Sequence, residues 1–180
     1  MKEKALHTFD IGVIAGDGVG PEVIAEGIKA LEAIAKADPS VGFEFTYYPW
    51  GCNYYLSHGK MMDEDGLERL AGHDAILLGA VGDPRVPDHI SLWDLLLRIR
   101  KGFDQYINLR PVKLLKGAPC PLKGASCEDI DMIFVRENSE GEYSGQGSWT
   151  DKGTPLEKAI QEDVFTRRGC ERVMKYAYEL

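Results

Sequence analysis

What most constrains this chain is a recurring pattern in which a short apolar run ends in a glycine-rich turn. Phe9-Asp10-Ile11-Gly12-Val13-Ile14 is the first such run, and Ala15-Gly16-Asp17-Gly18-Val19-Gly20 follows it. Pro21 comes next, at the start of a helix, where the N–H it lacks has no intrahelical partner to lose. Val23, Ile24, Ile28, Leu31 and Ile34 recur with helical period, which predicts an amphipathic helix over residues 21–37. Phe43, Phe45 and Tyr47 alternate as a strand does, and residues 66–71 read as a short helix. Ala75-Ile76-Leu77-Leu78 is another buried run, ending in Gly79-Ala80-Val81-Gly82-Asp83-Pro84. Strands alternating with helices predict an α/β fold with a largely parallel sheet flanked by helices. Ligands of such sheets gather at the carboxyl ends of the strands, which places both glycine turns beside one cleft.

Further along, residues 91–101 read as a helix with Leu92, Leu95, Leu96 and Ile99 on its apolar face. Tyr106-Ile107-Asn108-Leu109-Arg110-Pro111-Val112 and Asp131-Met132-Ile133-Phe134-Val135-Arg136 read as strands separated by a loop rich in Pro, Gly and Lys. Residues 144–153 are polar and glycine-containing, an arm or loop, and residues 166–180 form a final helix. That helix stops at Leu180 without a capping Gly or a following Pro, so the ending reads as unfinished. There is no internal repeat and no low-complexity tract.

Composition narrows the function classes. A chain of 180 residues is long enough to bury one substantial core. Its net charge of -8 opposes nonspecific binding to nucleic acid or to anionic membranes, though not recognition of a small acid by clustered cations. No apolar run approaches the roughly 20 residues of a membrane-spanning helix. Met1-Lys2-Glu3-Lys4 leads directly into a strand-like run with no signal-peptide core. Cys52, Cys120, Cys127 and Cys170 lack CxxC spacing and read as free thiols of a cytoplasmic protein.

The residues with chemistry to offer each have a plain structural reading as well. The turn from Gly16 to Pro21 resembles a phosphate cradle, but its spacing is not GxGxxG, and a tight strand-to-helix turn explains it equally. Gly79, Ala80, Val81 and Gly82 leave room for a flat nicotinamide ribose, or simply for the chain to turn. Arg100, Arg110 and Arg136 stand near the ends of a helix and two strands, where three bidentate forks would suit a diacid. Alternatively, Arg100 and Arg110 are surface cations and Arg136 pairs with Glu137, Glu140 or Glu142. Tyr143 is either a proton donor activated by a neighbouring cation or a packed tyrosine. His89 and Trp93 form a pocket wall, or belong to a helix cap at Ser91 and a packed indole. His58 and His73 give no metal pattern.

In order, three segments resemble the isocitrate/isopropylmalate dehydrogenase family. They are Ile14-Ala15-Gly16-Asp17-Gly18-Val19-Gly20-Pro21-Glu22, Asn108-Leu109-Arg110-Pro111-Val112 and Val135-Arg136-Glu137-Asn138-Ser139-Glu140-Gly141-Glu142-Tyr143. Val86-Pro87-Asp88-His89-Ile90-Ser91-Leu92-Trp93, Phe103-Asp104-Gln105-Tyr106 and Pro119-Cys120-Pro121-Leu122 look like its tartrate/D-malate branch, with Asp94 where a small residue is expected. The resemblance implies an NAD-dependent and Mg2+- or Mn2+-dependent oxidative decarboxylation of a small 2-hydroxy dicarboxylic acid by a cytoplasmic homodimer. It implies that Arg100, Arg110 and Arg136 grip the substrate beside Trp93 and Leu96, and that Tyr143 is catalytic. Val19, Gly79, Ala80, Val81 and Gly82 would border NAD, and no metal ligand would come from this chain, those being expected beyond residue 180. Residues 1–104 would begin the larger, dinucleotide-side domain. Residues 105–180 would begin the smaller substrate and dimerisation domain, with an arm at 144–161. The family runs to about twice this length, so the chain by itself is expected to be inactive. The competing expectations are a non-catalytic dicarboxylate-binding or dimerisation module and a 3-isopropylmalate dehydrogenase relative.

Overall fold

The computed structural model describes residues 7–180, so the reading of Met1-Lys2-Glu3-Lys4 falls outside the described residues. The chain divides into two compact units, one ending at Ile99 and the other running from Arg100 to Leu180.

In the first unit β1 (His7–Gly16), β2 (Val41–Tyr48) and β3 (Ala75–Ala80) form a three-stranded sheet with β1 in the middle and both pairings parallel. Parallel neighbours need a crossover connection, and α1 (Gly20–Ala37) supplies the first. Ile11 and Val13 of β1 meet Ile24 of α1, with Phe9, Ile28, Phe43, Phe45 and Leu77 packed around them. Burying Ile11, Val13 and Ile24 contributes roughly 1.5–3 kcal/mol each, and the partly covered side chains less. Of the apolar positions expected on α1, Ile24 is buried and Ile28 and Leu31 are partly covered. Val23 and Ile34 stay exposed, because a helix turns only one stripe toward its sheet. Pro39 ends the helix by holding Asp38 extended, and the Asp38 carboxylate then accepts from the Ser40 amide at 2.9 Å.

Two polar knots brace this unit. Gly12 is pressed against the His73 ring, where a Cβ would come within 2.7 Å. His73 in turn bridges Asp10, 2.8 Å from Nδ1, and the Tyr48 hydroxyl, 2.7 Å from Nε2, so this histidine is a structural link. The second knot surrounds Asp63, between α2 (Cys52–His58) and α3 (Gly66–Leu70). Its carboxylate accepts from the Tyr54 hydroxyl at 2.6 Å, from Arg69 at 2.9 Å and from the Trp50 indole at 3.3 Å, with Lys60 3.1 Å away. Arg69 also lies over the stacked rings of Tyr48 and Trp50.

The expected helix over 91–101 begins earlier and is not uniform. α4 (Asp88–Ser91) passes into a π-helical stretch (Leu92–Leu97), and α5 (Arg98–Gly102) follows. Ser91 is therefore not an N-cap; it ends α4, and its hydroxyl donates to the Asp88 carbonyl at 3.3 Å.

The second unit is built on a different pairing from the first. β4 (Ile107–Lys113) and β5 (Asp131–Glu137) are antiparallel, their ends drawn together by the Leu114 amide on the Ile130 carbonyl at 3.0 Å. Pro111 is tolerated in β4 because the strand has a partner on one side only. The polar arm is a hairpin of β6 (Gly147–Thr150) and β7 (Lys158–Gln161) rather than a loop. α6 (Arg167–Glu179) packs against β5. Thr166 caps it by accepting from the Gly169 amide at 3.0 Å, and Glu140 accepts in turn from the Thr166 amide at 2.7 Å. Arg172 fastens α6 to the loop before β4, donating to both oxygens of Asp104 at 2.9 Å and to Ser139 at 2.9 Å. Among the described residues no helix is long and apolar enough to cross a membrane.

Hydrogen bonds from Tyr54 and Lys60 hold the Asp63 carboxyl at about 2, below its usual 3.8. A depressed carboxyl contributes stability that is fully present above the ordinary value and is lost as pH falls toward about 2. Asp63→Asn is expected to lower the melting temperature at pH 7 by a few degrees, about 1–2 kcal/mol. It should also flatten the decline between pH ~4 and ~2. Thermal unfolding at three pH values checks this, and an acid slope equal to that of the wild type would contradict it.

Candidate active site

β5 ends on Arg136 and Glu137, and the chain then folds back tightly. The Glu137 carboxylate makes this turn, accepting from the Ser139 amide at 3.0 Å and the Glu140 amide at 2.8 Å. Burial pushes the Glu137 carboxyl up, but the hydroxyl and amides donated to it hold it below its ordinary value. Since Glu137 is occupied here and Glu140 at the cap of α6, Arg136 is left to Tyr143. Its Nη2 donates to the phenol oxygen at 3.0 Å.

Arg100, from α5, lies with its guanidinium 5.9 Å from the centre of the same ring, and Arg136 lies at 5.5 Å. The hydrogen bond from Arg136 holds the Tyr143 phenol below its ordinary value near 10; burial opposes this, and the charges of Arg136 and Arg100 add to it. Arg110 shares the exposed hairpin. Asn108 is opposite Arg136 in the register, and Arg110 is two residues further along β4, so the two arginines share a face as diagonal neighbours. The Arg110 Nε donates to Asn108 Oδ1 at 2.9 Å.

Among the described residues none of Arg100, Arg110 and Arg136 makes an ion pair with a carboxylate. In a chain with 29 acidic and 21 basic side chains, that leaves a local excess of positive charge. The pairing of Arg136 with a neighbouring glutamate does not occur. Arg100, Arg136 and Tyr143 are brought together; Arg110 is beside them on the hairpin face but turned to Asn108.

The remaining expected site residues belong to the first unit. Val81, Gly82 and Leu96 line one cavity of about 290 Å³ together with Asp88, Ser91 and Leu92. Trp93 is not on its wall, and Val19 stands half-exposed just before α1. Gly79 lies against the main chain of β1, where a Cβ would come within 2.2 Å of the Ala15 carbonyl oxygen. Gly82 is different: its φ is +145° and a Cβ there would meet nothing within 4 Å, so a flat group has open space over it. Among the described residues no group of three or more His, Cys, Asp or Glu is placed to hold a metal ion.

Sequence reasoning missed Asp17, a buried carboxylate that accepts from the Cys52 amide at 2.9 Å and the Gly82 amide at 3.2 Å. The available signal was an acidic residue between two glycines at the end of a buried strand. It also missed Arg172, for which the sequence carries no signal, and gave Asp88 and Ser91 no place on a cavity wall.

This architecture, a parallel βαβ sheet followed by an antiparallel hairpin bearing arginines with a tyrosine in the turn after it, matches a known one. The chain matches the isocitrate/isopropylmalate dehydrogenase family over residues 10–180, and it belongs to that family. It is 52% identical to a tartrate dehydrogenase/decarboxylase of Pseudomonas putida over 97% of its own length and 48% of that protein's. It is likewise 52% identical to the D-malate dehydrogenase (decarboxylating) of Escherichia coli, covering 97% of itself and 49% of that relative. Among solved structures, an apo beta-decarboxylating dehydrogenase from Thermococcus kodakarensis aligns with a TM-score of 0.64 and 32% identity over 95% of this chain and 45% of that one. The isocitrate dehydrogenase of Methylococcus capsulatus shares the fold, with a TM-score of 0.74 at 24% identity over 95% of this chain and 47% of that one. The chain spans about half the length of the curated relatives it matches.

Replacing Arg136 by Gln is expected to raise the titration of Tyr143 toward that of an ordinary phenol. Ultraviolet difference titration against Tyr143→Phe isolates this phenol from the others. A Tyr143 transition that stays where it is in Arg136→Gln would show that the guanidinium does not set it.

Proposed function

We propose that this chain supplies the carboxylate grip and the proton donor for NAD-dependent oxidative decarboxylation of a small 2-hydroxy dicarboxylic acid of the tartrate/D-malate kind. The observation that carries the reading is the pair Arg100 and Arg136 around the Tyr143 phenol, with no carboxylate neutralising either guanidinium among the described residues.

The chemistry that NAD would supply when bound is a hydride acceptor facing C2 of the substrate, whose alcohol would become a ketone. Val19 and the turn at 79–82 would border its nicotinamide end, with the open space over Gly82 giving a flat ring room. Arg100, Arg110 and Arg136 hold the two carboxylates, Arg110 exchanging Asn108 for the ligand. A guanidinium fork bonds a carboxylate in a fixed plane, which orients C2 as well as adding affinity. Trp93 and Leu96 meet the apolar side of the acid. When the carboxylate β to the new ketone leaves as CO2, the electron pair of the broken C–C bond remains as an enolate. Tyr143 then passes its phenolic proton to the carbanionic carbon, and the resulting phenolate is stabilised by Arg136. A phenol already below its ordinary value is the better acid for that step.

The divalent ion of the family takes its ligands from outside these residues, and the roles of Arg100, Arg136 and Tyr143 follow without it. Residues 1–104 serve the nucleotide side and residues 105–180 the substrate side. The β6–β7 hairpin, with Trp149 and Ile160 exposed, is the arm of a homodimer. Four free cysteines fit a cytoplasmic setting.

The test is an assay with NAD+, Mn2+ and D-malate, L-tartrate or 3-isopropylmalate, on this chain and on an extended protein carrying it. The chain alone is expected to show no turnover, and the extended protein to oxidise D-malate or tartrate. In the latter, Arg136→Gln should lower kcat/KM by roughly a hundredfold or more. Tyr143→Phe should lower kcat by about 10²–10⁴ with little change in KM. Full activity in Tyr143→Phe, or an unchanged KM in Arg110→Ala, would sink the assignment of that residue.

A further inference from the structure

Asp17 takes no part in gripping a substrate, yet its carboxylate is 3% exposed at the carboxyl end of β1. Its Oδ1 accepts from the amides of Cys52 at 2.9 Å and Asn53 at 3.4 Å; its Oδ2 accepts from Cys52 at 2.9 Å and Gly82 at 3.2 Å. The main chain adds two bonds, the Asp17 amide to the Ala80 carbonyl at 2.6 Å and the Gly20 amide to the Asp17 carbonyl at 2.8 Å. One residue therefore joins the segments that leave the carboxyl ends of all three parallel strands.

The chemistry of the contact demands a carboxylate. Both oxygens face N–H donors, so an acceptor-only group fits, and an Asn would aim its own NH2 at one of them. A longer side chain has no room, because Gly51 already brings its Cα so close that a Cβ would be 2.9 Å from Oδ1. The Cys52 thiol is pushed up to about 12, by burial first and then by Asp17, so it stays protonated and is not a nucleophile. Gly82 holds a φ of +145°, a conformation that L side chains rarely adopt. Its amide is fixed by Asp17.

We propose that Asp17 is a positioning residue for the nicotinamide end of NAD: through the Gly82 amide its buried carboxylate sets the turn at 79–82 in the shape against which the cofactor lies. This rests on the NAD reading of the proposed function, and two measurements keep the two apart.

The first is amide hydrogen exchange on this chain, read residue by residue by NMR. Asp17→Asn should speed exchange at Gly82 and Cys52 by roughly tenfold or more, while Ile11 and Val13 in β1 stay within about twofold. Unchanged protection at Gly82 overturns the proposal. If the variant does not fold, the wild type decides: a Gly82 amide exchanging as fast as an unstructured one overturns it too. The second is steady-state kinetics in an active protein carrying the chain. Asp17→Asn should raise KM for NAD+ about tenfold and leave KM for the acid within about twofold. Equal rises in both constants, or none, overturn the positioning role. A wild type that uses no NAD+, with exchange behaving as expected, places the failure in the cofactor assignment; the positioning role then falls and only the hold on the turn survives.

Discussion

Parallel pairing on both sides of β1 is the constraint from which the first unit follows. Two parallel neighbours cannot be reached by tight turns, so the chain must cross back over the sheet after each strand. α1 does this once, and its inward row of Ile24, Ile28 and Leu31 closes the core over Ile11 and Val13. The same constraint sends Gly16, Tyr48 and Ala80 out at one edge. Everything that can meet a ligand here collects at that edge for a topological reason, and Asp17 is where the three exits are tied.

The second unit is organised by charge rather than by a core. Its strands are short, largely exposed and paired on one side only. Acidic side chains are plentiful, yet they are used as structural acceptors: Glu137 for the turn after β5, Glu140 for the cap of α6, Asp104 for Arg172. Committing the carboxylates in this way keeps the guanidiniums of Arg100 and Arg136 for the phenol. Each acid in this stretch therefore shapes the site indirectly, by not being a partner to those arginines.

Much of this was legible in the sequence where burial enforces a period. β1, α1, β2 and β3 alternate or recur as their covered faces require, and their observed bounds lie close to those expected. α2 was not legible, because its start depends on a distant carboxylate accepting from its first amides. The β6–β7 hairpin was hidden for a different reason: both strands are exposed throughout, so no apolar alternation marks them. Family resemblance pointed to the arginines and the tyrosine. It did not reveal that Arg110 is held by Asn108, that Gly79 spends its missing Cβ on the Ala15 carbonyl, or that β4 and β5 run antiparallel.

The π-helical stretch between α4 and α5 has a consequence for how such a pocket diversifies. A π turn holds one residue more than the α turn it replaces, so side chains beyond it are rotated by about 100° relative to an uninterrupted helix. Here that offset accompanies Leu96 on the cavity wall while Leu95 and Leu97 are buried. Removing a single residue from the stretch would let it wind as ordinary α-helix and present a different side chain to the cavity, with the scaffold on either side unaltered. Insertion and deletion, and not only replacement, are then routes by which such a cavity can change its shape.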